Sequence, residues 1–209
     1  MTIKKIMMIT LALTPLTLWA QDNTWEKPEF EQEQEQVKVK KANADEKYLR
    51  GAVPEVDGKV IFTKTIEVPG KSASDIFNIV QNYMTKMVSE SNQIKSHLAI
   101  NDSEKFELGA AMEEWLVFKS AALALDRTRF LYTFQACCQD GKVELRMSHL
   151  RYLYDENRKP QRLKAEEWIT DKYAVNKKNT RLYPGSAKFR RKTIDRKDFL
   201  FNKIESLLK

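Results

Sequence analysis

The sequence predicts an α+β protein, a curved antiparallel sheet of about five strands with two helices packed on one face, in the order β-α-β-β-β-β-α. Three observations carry that prediction. Residues 60–68, VIFTKTIEV, alternate apolar and polar side chains with period two, as a half-buried strand does. Residues 72–91, SASDIFNIVQNYMTKMVSES, repeat apolar side chains at helical spacing. Two further alternating runs, 130–138 and 143–147, flank Asp140-Gly141, a pair favoured in tight hairpins.

The elements follow in order. Asp57-Gly58 marks a turn before the first strand, and Pro69-Gly70 ends it. Val60, Phe62, Ile66 and Val68 share one face of that strand, with Lys64 the polar exception. Ser72 or Ser74 can cap the helix that follows, and Asp75 sits in the first turn, where the helix dipole favours negative charge. Ile76, Val80, Tyr83 and Met87 form its apolar stripe, which should lie on the sheet. SHLAIN, residues 96–101, reads as a short strand. Residues 105–125 are ambiguous. Phe106, Leu108, Ala110 and Met112 alternate, whereas the Ala-rich end suits a helix; a strand through Phe118 is the preferred reading.

Phe130, Tyr132, Phe134, Ala136 and Cys138 share a face, as do Val143, Leu145 and Met147 on the return strand. The phase then slips to Leu150, Tyr152 and Tyr154, which predicts a bulge near Ser148-His149. Residues 165–174 read as a helix and 176–185 as a turn-rich loop. Asp195 is the expected cap of a last helix whose inner face is Leu200, Ile204, Leu207 and Leu208.

The chain has 209 residues, 42% hydrophobic and 31% charged, a balance that suits a globular domain and excludes general disorder. Residues 1–20 have the layout of a secretory signal peptide: Lys4 and Lys5, an apolar stretch, then Ala20 before a polar mature end. The apolar stretch is short for a membrane span, which needs about 20 residues, and Pro15 interrupts it. Export to the periplasm or an outer-membrane-associated site is therefore expected, with no transmembrane segment in the mature chain. Residues 21–51 read as a polar flexible leader, and 52–209 as the folded domain.

The formal charge of +7 includes the two signal lysines, leaving +5 for the mature chain. Fourteen Lys or Arg against seven Asp or Glu fall within residues 155–198, so the excess is local. KFRRKT, with Lys188, Arg190, Arg191 and Lys192, is its densest part. These four are possible contacts to an anionic surface, allowing peripheral membrane contact, and their alternative is a solvated flank. Export argues against nucleic acid as a partner.

No cofactor or metal site is expected. Cys137 and Cys138 are adjacent, so on a strand they point to opposite faces, one into the core and one outward. They lack the spaced companions of a zinc site. His97 and His149 are single and far apart in sequence, each more consistent with a hydrogen-bonded neutral side chain than with a base or ligand. Neither a nucleophile elbow nor a phosphate-binding glycine loop occurs. Glu113-Glu114 and Glu166-Glu167 could in principle supply the acid and base of glycoside cleavage, which requires two carboxyls facing one bond. Surface charge around a buried Trp is the competing explanation. Arg127, Arg129 and Phe130, like Arg151 and Tyr152, mix charge with rings, as single-strand binders do, but simple alternation explains them.

GKVIFTKTIEVPGKSASDIF, DRTRFLYTF, the strand ending in RYLYDE, and AEEWITDKYAVNKK with KFRRKTID together resemble a family of exported bacterial domains of unknown function with a TATA-binding-protein-like (TBP-like) fold. The resemblance spans residues 52–209 and implies a sheet of about five strands gripped by two helices. It implies no activity, and a fold name does not carry DNA binding. The residues then favour a non-enzymatic envelope module for a protein partner or a small apolar ligand held between sheet and helix. The rival readings are an envelope glycan hydrolase using the paired Glu residues and anionic-surface binding through the basic C-terminal region.

Overall fold

The structure is a computed structural model that describes residues 45–121 and 124–209. The expected signal peptide and all but the last residues of the expected leader lie outside the described residues. Eight strands form: β1 (Glu55–Val56), β2 (Lys59–Val60), β3 (Phe62–Glu67), β4 (His97–Asp102), β5 (Glu107–Ala121), β6 (Ala124–Gln139), β7 (Lys142–Tyr154) and β8 (Gln161–Lys164). Four α-helices accompany them: α1 (Ala73–Met87), α2 (Ala165–Trp168), α3 (Asp171–Ala174) and α4 (Pro184–Leu208).

The α+β class holds, with a larger sheet than expected. Six strands run antiparallel in the order β3-β7-β6-β5-β4, and β8 pairs with β7 beyond the end of β3. The extra strand is the connection after Pro160, which returns along Arg151–Tyr154 instead of looping free. Residues 105–125, ambiguous in sequence, are mostly strand β5. Gly141, at φ 75°, closes the β6–β7 hairpin as the Asp-Gly pair predicts. The predicted bulge is present: Leu131 pairs with Arg151 and Thr133 with Ser148, so His149 and Leu150 together oppose Tyr132.

Alternation along these strands divides the sheet into two faces. Leu108, Met112, Leu116, Phe130, Phe134 and Leu145 point to one side and are buried there. Helix α1 lays Ile76, Val80, Met84 and Met87 on that side. Ser72 caps α1, accepting from the Asp75 amide while the Asp75 carboxylate accepts from the Ser72 amide, so a reciprocal capping box fixes the helix start. Helix α4 covers the rest with Phe189, Ile194, Leu200, Phe201 and Ile204. Phe189 is the aromatic hub, its ring edge-on to Phe118, Tyr152, Tyr154 and Trp168 at centroid separations of 4.7–5.9 Å. Cys138 is buried and Cys137 exposed, as strand alternation requires.

The C-terminal third departs from the sequence prediction. The last helix starts at Pro184, not at Asp195, so the predicted loop 176–185 is shortened and KFRRKT lies inside the helix. Pro-Gly reads as a turn, yet Pro at a first helical position is favourable because its missing N–H has no partner there anyway. Asp195 is consequently not a cap; it accepts from Lys47 Nζ at 2.7 Å and Tyr48 Oη at 2.9 Å. Leu207 is exposed, unlike Leu200, Ile204 and Leu208. The single helix expected over 165–174 is two, interrupted where Thr170 adopts extended backbone and turns its hydroxyl back to the Glu166 carbonyl, 3.2 Å away. Residues 45–51 pack on the domain too: Tyr48 lies against the core, and a short 3₁₀ turn spans Glu46–Tyr48.

The ring of Phe134, fully buried and 6.1 Å from that of Phe201, joins sheet to α4. Phe134→Ala should lower unfolding free energy by about 3–5 kcal/mol in urea denaturation. Phe134→Asp should leave no cooperative unfolding transition at all. A normally folded Asp variant would show that the core face has been misassigned.

Candidate functional site

The sheet's second face touches neither α1 nor α4, and it is here that polar and aromatic side chains collect. Strand register sets them in rows. Trp115 pairs with Arg129 and Arg129 with Leu153. One step along, Glu113 pairs with Leu131 and Leu131 with Arg151. The Arg127 guanidinium stacks on the Trp115 ring, 3.7 Å from its centroid. Arg129 donates to Glu113 at 2.9 Å and to Glu156 at 2.8 Å, so its fork is held in place, and the Glu113 bond leads the causes that raise its pKa. A cleft of about 500 Å³ opens beside this platform, lined by Trp115, Arg127, Arg129, Tyr154, Glu156 and Arg158 among others.

Further along the same face two shallow hollows meet. One, of about 330 Å³, includes Lys95, His97, Ala111, Thr133, His149 and Arg151. The other, of about 370 Å³, includes Lys59, Arg146, His149, Arg151, Lys164 and Glu166. His97 pairs with Ala111, Ala111 with Thr133, and Thr133 with Ser148, so the row that begins at His97 ends at Ser148, the chain neighbour of His149, and its middle positions are small. Three strand spacings of about 4.8 Å separate its ends. The bulge holds His149 at φ 58°, a left-handed backbone that a non-glycine residue adopts only at some cost. Sequence separation conceals that both histidines line one hollow, and the phase slip near Ser148-His149 is its only sequence trace.

The paired glutamates do not share a site. Glu113 stays on the second face with Arg129, whereas Glu114 points into the core and is fully buried. Its carboxylate accepts from Arg196 Nε at 2.8 Å and Nη2 at 2.6 Å, Tyr132 Oη at 2.8 Å, Gln93 Nε2 at 2.7 Å and Asn92 Nδ2 at 3.3 Å. Burial works against the Arg196 charge, but the Glu114 carboxylate outweighs it and keeps the guanidinium protonated. Burial, then the same carboxylate, pushes the Tyr132 hydroxyl well above the ordinary tyrosine range. Arg196 carries no signal in the sequence, because a buried arginine looks like any surface cation. Glu166 accepts from the Val60 amide at 3.1 Å, and Glu167 pairs with Lys164 at 3.2 Å on the surface. With Glu114 out of reach of solvent, no sugar bond can sit between the neighbouring pair.

The basic run is dispersed around α4. Arg190 is fully buried and cannot meet an anionic surface: it donates to the carbonyls of Tyr48, Leu49 and Ile169 and to Asp171 Oδ1, each at 2.6 Å. It ties residues 48–49 and the α2–α3 turn to the helix. Lys188 donates to Asp126 Oδ2 and Tyr154 Oη, both at 2.7 Å. Arg191 pairs with Asp45 at 2.6 Å. Lys192 is half-buried on the same helix. Among the described residues, no cluster of three or more His, Cys, Asp or Glu could hold a metal ion, and no helix is long and apolar enough to cross a membrane.

Residues 62–153 match the model of a domain of unknown function (DUF4468) with TBP-like fold. A crystal structure of a DUF4468 family protein from Bacteroides ovatus is similar at 41% identity and a TM-score of 0.74, over 80% of this chain and 96% of that one. A TBP-like protein from Parabacteroides distasonis shares 21% identity and a TM-score of 0.62, over 75% of this chain and 97% of that one, a likeness of fold. No curated protein matches the chain.

The buried carboxylate yields a stability prediction. Removing one partner, as in Arg196→Met, strands a buried charge and should cost about 3–5 kcal/mol in urea denaturation. The double variant Glu114→Leu with Arg196→Met should recover most of that loss. A double variant as unstable as the two single losses combined would show that the two residues contribute independently and that no stranded charge sets the cost.

Proposed function

Because the chain belongs to the DUF4468 family of TBP-like domains, we propose that it is an exported, non-enzymatic envelope module that binds a protein partner through the face of the sheet its helices leave uncovered. The observation that carries this is the Trp115–Arg127–Arg129 platform. Trp and Arg are the residue types most enriched among interface hot spots, and the ion pairs of Arg129 hold its side chain ready, so less rotamer freedom is lost on binding. A rigid, twisted sheet presents such groups with little rearrangement.

Two further observations favour a protein over an apolar molecule between sheet and helices, and binding over catalysis. The space between sheet and helices is filled by the side chains of Met84, Met87, Phe130, Phe134 and Phe201, all nearly inaccessible. The carboxylates that could serve glycan cleavage are spent on structural partners, Glu114 on Arg196 and Glu166 on the Val60 amide. The signal-like residues 1–20 support a periplasmic or outer-membrane-associated setting, where nucleic acid is not the expected partner.

The test is affinity capture from the host envelope with wild-type protein and two variants. Trp115→Ala should reduce recovery of any specific partner at least tenfold while leaving the unfolding midpoint nearly unchanged. Asn78→Ala, on the outer side of α1, should recover as much partner as wild type. Equal recovery by Trp115→Ala and wild type would overturn the assignment of this face.

A further inference from the structure

We infer that the saddle between His97 and His149 receives an acidic, extended segment of a protein partner, with carboxylates seated along the row of cations. The inference rests on the reading of this face as the binding face, and adds the chemistry of what binds. Seven basic or imidazole side chains line the two joined hollows: Lys95, His97, His149 and Arg151 in one, and Lys59, Arg146 and Lys164 around the other, with His149 and Arg151 common to both. Only two carboxylates join them, and both are engaged: Glu113 is bound by Arg129, and Glu166 accepts from the Val60 amide. Among the described residues, Arg146, Arg151, Lys59 and Lys95 enter no ion pair, in contrast to Lys188, Arg190, Arg191 and Arg196 on α4, which all do. These four cations thus stand together on the uncovered face without an acid partner, whereas the four on the basic helix are engaged.

The layout selects the class of anion. A phosphate or sulfate group needs donors that converge on one point, as bidentate arginine and backbone nests supply. Here the cations stand at both ends of a trough, Lys95 and His97 at β4 and the others on β7 and past it toward Lys59 and Lys164, with Ala111 and Thr133 between them. Extended chain places alternate side chains about 6.8 Å apart on one side, a spacing that suits such a row. The floor is shallow because Ala111 and Thr133 are small, so a backbone can lie close to the sheet. The bulge aims the His149 side chain: Ser148 turns inward, Leu150 is buried, and the imidazole stays exposed with Nδ1 3.1 Å from Ser148 Oγ. Across the row, His97 Nδ1 lies 3.3 Å from the Lys95 carbonyl.

The charged side chains around the two rings are Lys95, Arg151, Arg146, Lys59, Lys164, Glu113 and Glu166, a set with a positive surplus that suits an anion.

The experiment is fluorescence anisotropy of a labelled hexaglutamate peptide with the folded protein at low ionic strength. Wild type should bind it, and binding should weaken as sodium chloride is raised. Arg146→Glu with Arg151→Glu should weaken binding at least tenfold. Asn78→Ala, on the outer side of α1, should bind the peptide as wild type does. Unchanged binding by the charge-reversed variant overturns the inference, as does displacement of the peptide by inorganic sulfate beyond what equal ionic strength of sodium chloride produces. If no peptide binds while Trp115→Ala still abolishes partner capture, the inference falls and the open-face reading stands. If the peptide binds as expected but Trp115→Ala captures partner normally, the reverse holds.

Discussion

A single buried carboxylate organises this domain. Glu114 sits in the middle of the longest hairpin, on the face that meets the helices, and five hydrogen bonds converge on its two oxygens. Taking a carboxylate and a guanidinium out of water costs several kcal/mol per ion unless such bonds replace the lost hydration. Here the bidentate arginine and three neutral donors do so. The requirement fixes geometry: α4 can satisfy Glu114 only at the rotation and height that bring Arg196 over β5, and residues 92–93 only by running beside β5, where the Trp115 amide donates to the Asn92 carbonyl at 2.9 Å. The ion pair therefore specifies one packing among several that apolar contact alone would tolerate.

A second arginine works six residues earlier on the same helix. Arg190 gathers three carbonyls and Asp171, fastening the chain entering the domain and the turn between α2 and α3. Between them, Arg190 and Arg196 convert a helix of low apolar content into a well-anchored one. The consequence for function is a division of labour. The helical side is committed to structure, with Lys188, Arg190, Arg191 and Arg196 spent on internal acceptors. The uncovered side of the sheet keeps Trp115 under Arg127, the two histidines and cations with no acid partner in the described structure.

Much of the sheet is legible in the sequence because period-two alternation records burial directly. Residues 60–68, 130–138 and 143–147 each show which side chains face inward, and the Asp-Gly pair sets the β6–β7 register. Helix α1 is legible for the same reason, with a cap, an acid in the first turn and an apolar stripe. The first half of α4 is not. Its inward face includes Ser186, Arg190, Thr193 and Arg196, so hydrophobic periodicity is absent where polar groups fill the buried positions. The two histidines are visible singly, but their placement in one hollow needs the β5–β6 register. Residues 121–125 offer no Gly, Pro or Asn to mark the turn, so that register cannot be set from sequence. Glu113 and Glu114 point apart, as neighbours on a strand must, though nothing local shows that Arg196, 82 residues away, claims one of them.

The assignment of working and structural sides can be measured while the partner is still unidentified. A photoreactive amino acid introduced singly at Leu131 or Thr133 on the uncovered sheet face, and at Asn78 or Leu207 on the helical side, would be irradiated in the intact host envelope. Discrete cross-linked adducts from Leu131 and Thr133, with none from Asn78 or Leu207, are the expected result. Adducts confined to the helical positions would contradict the central claim and place the working surface on the helices instead.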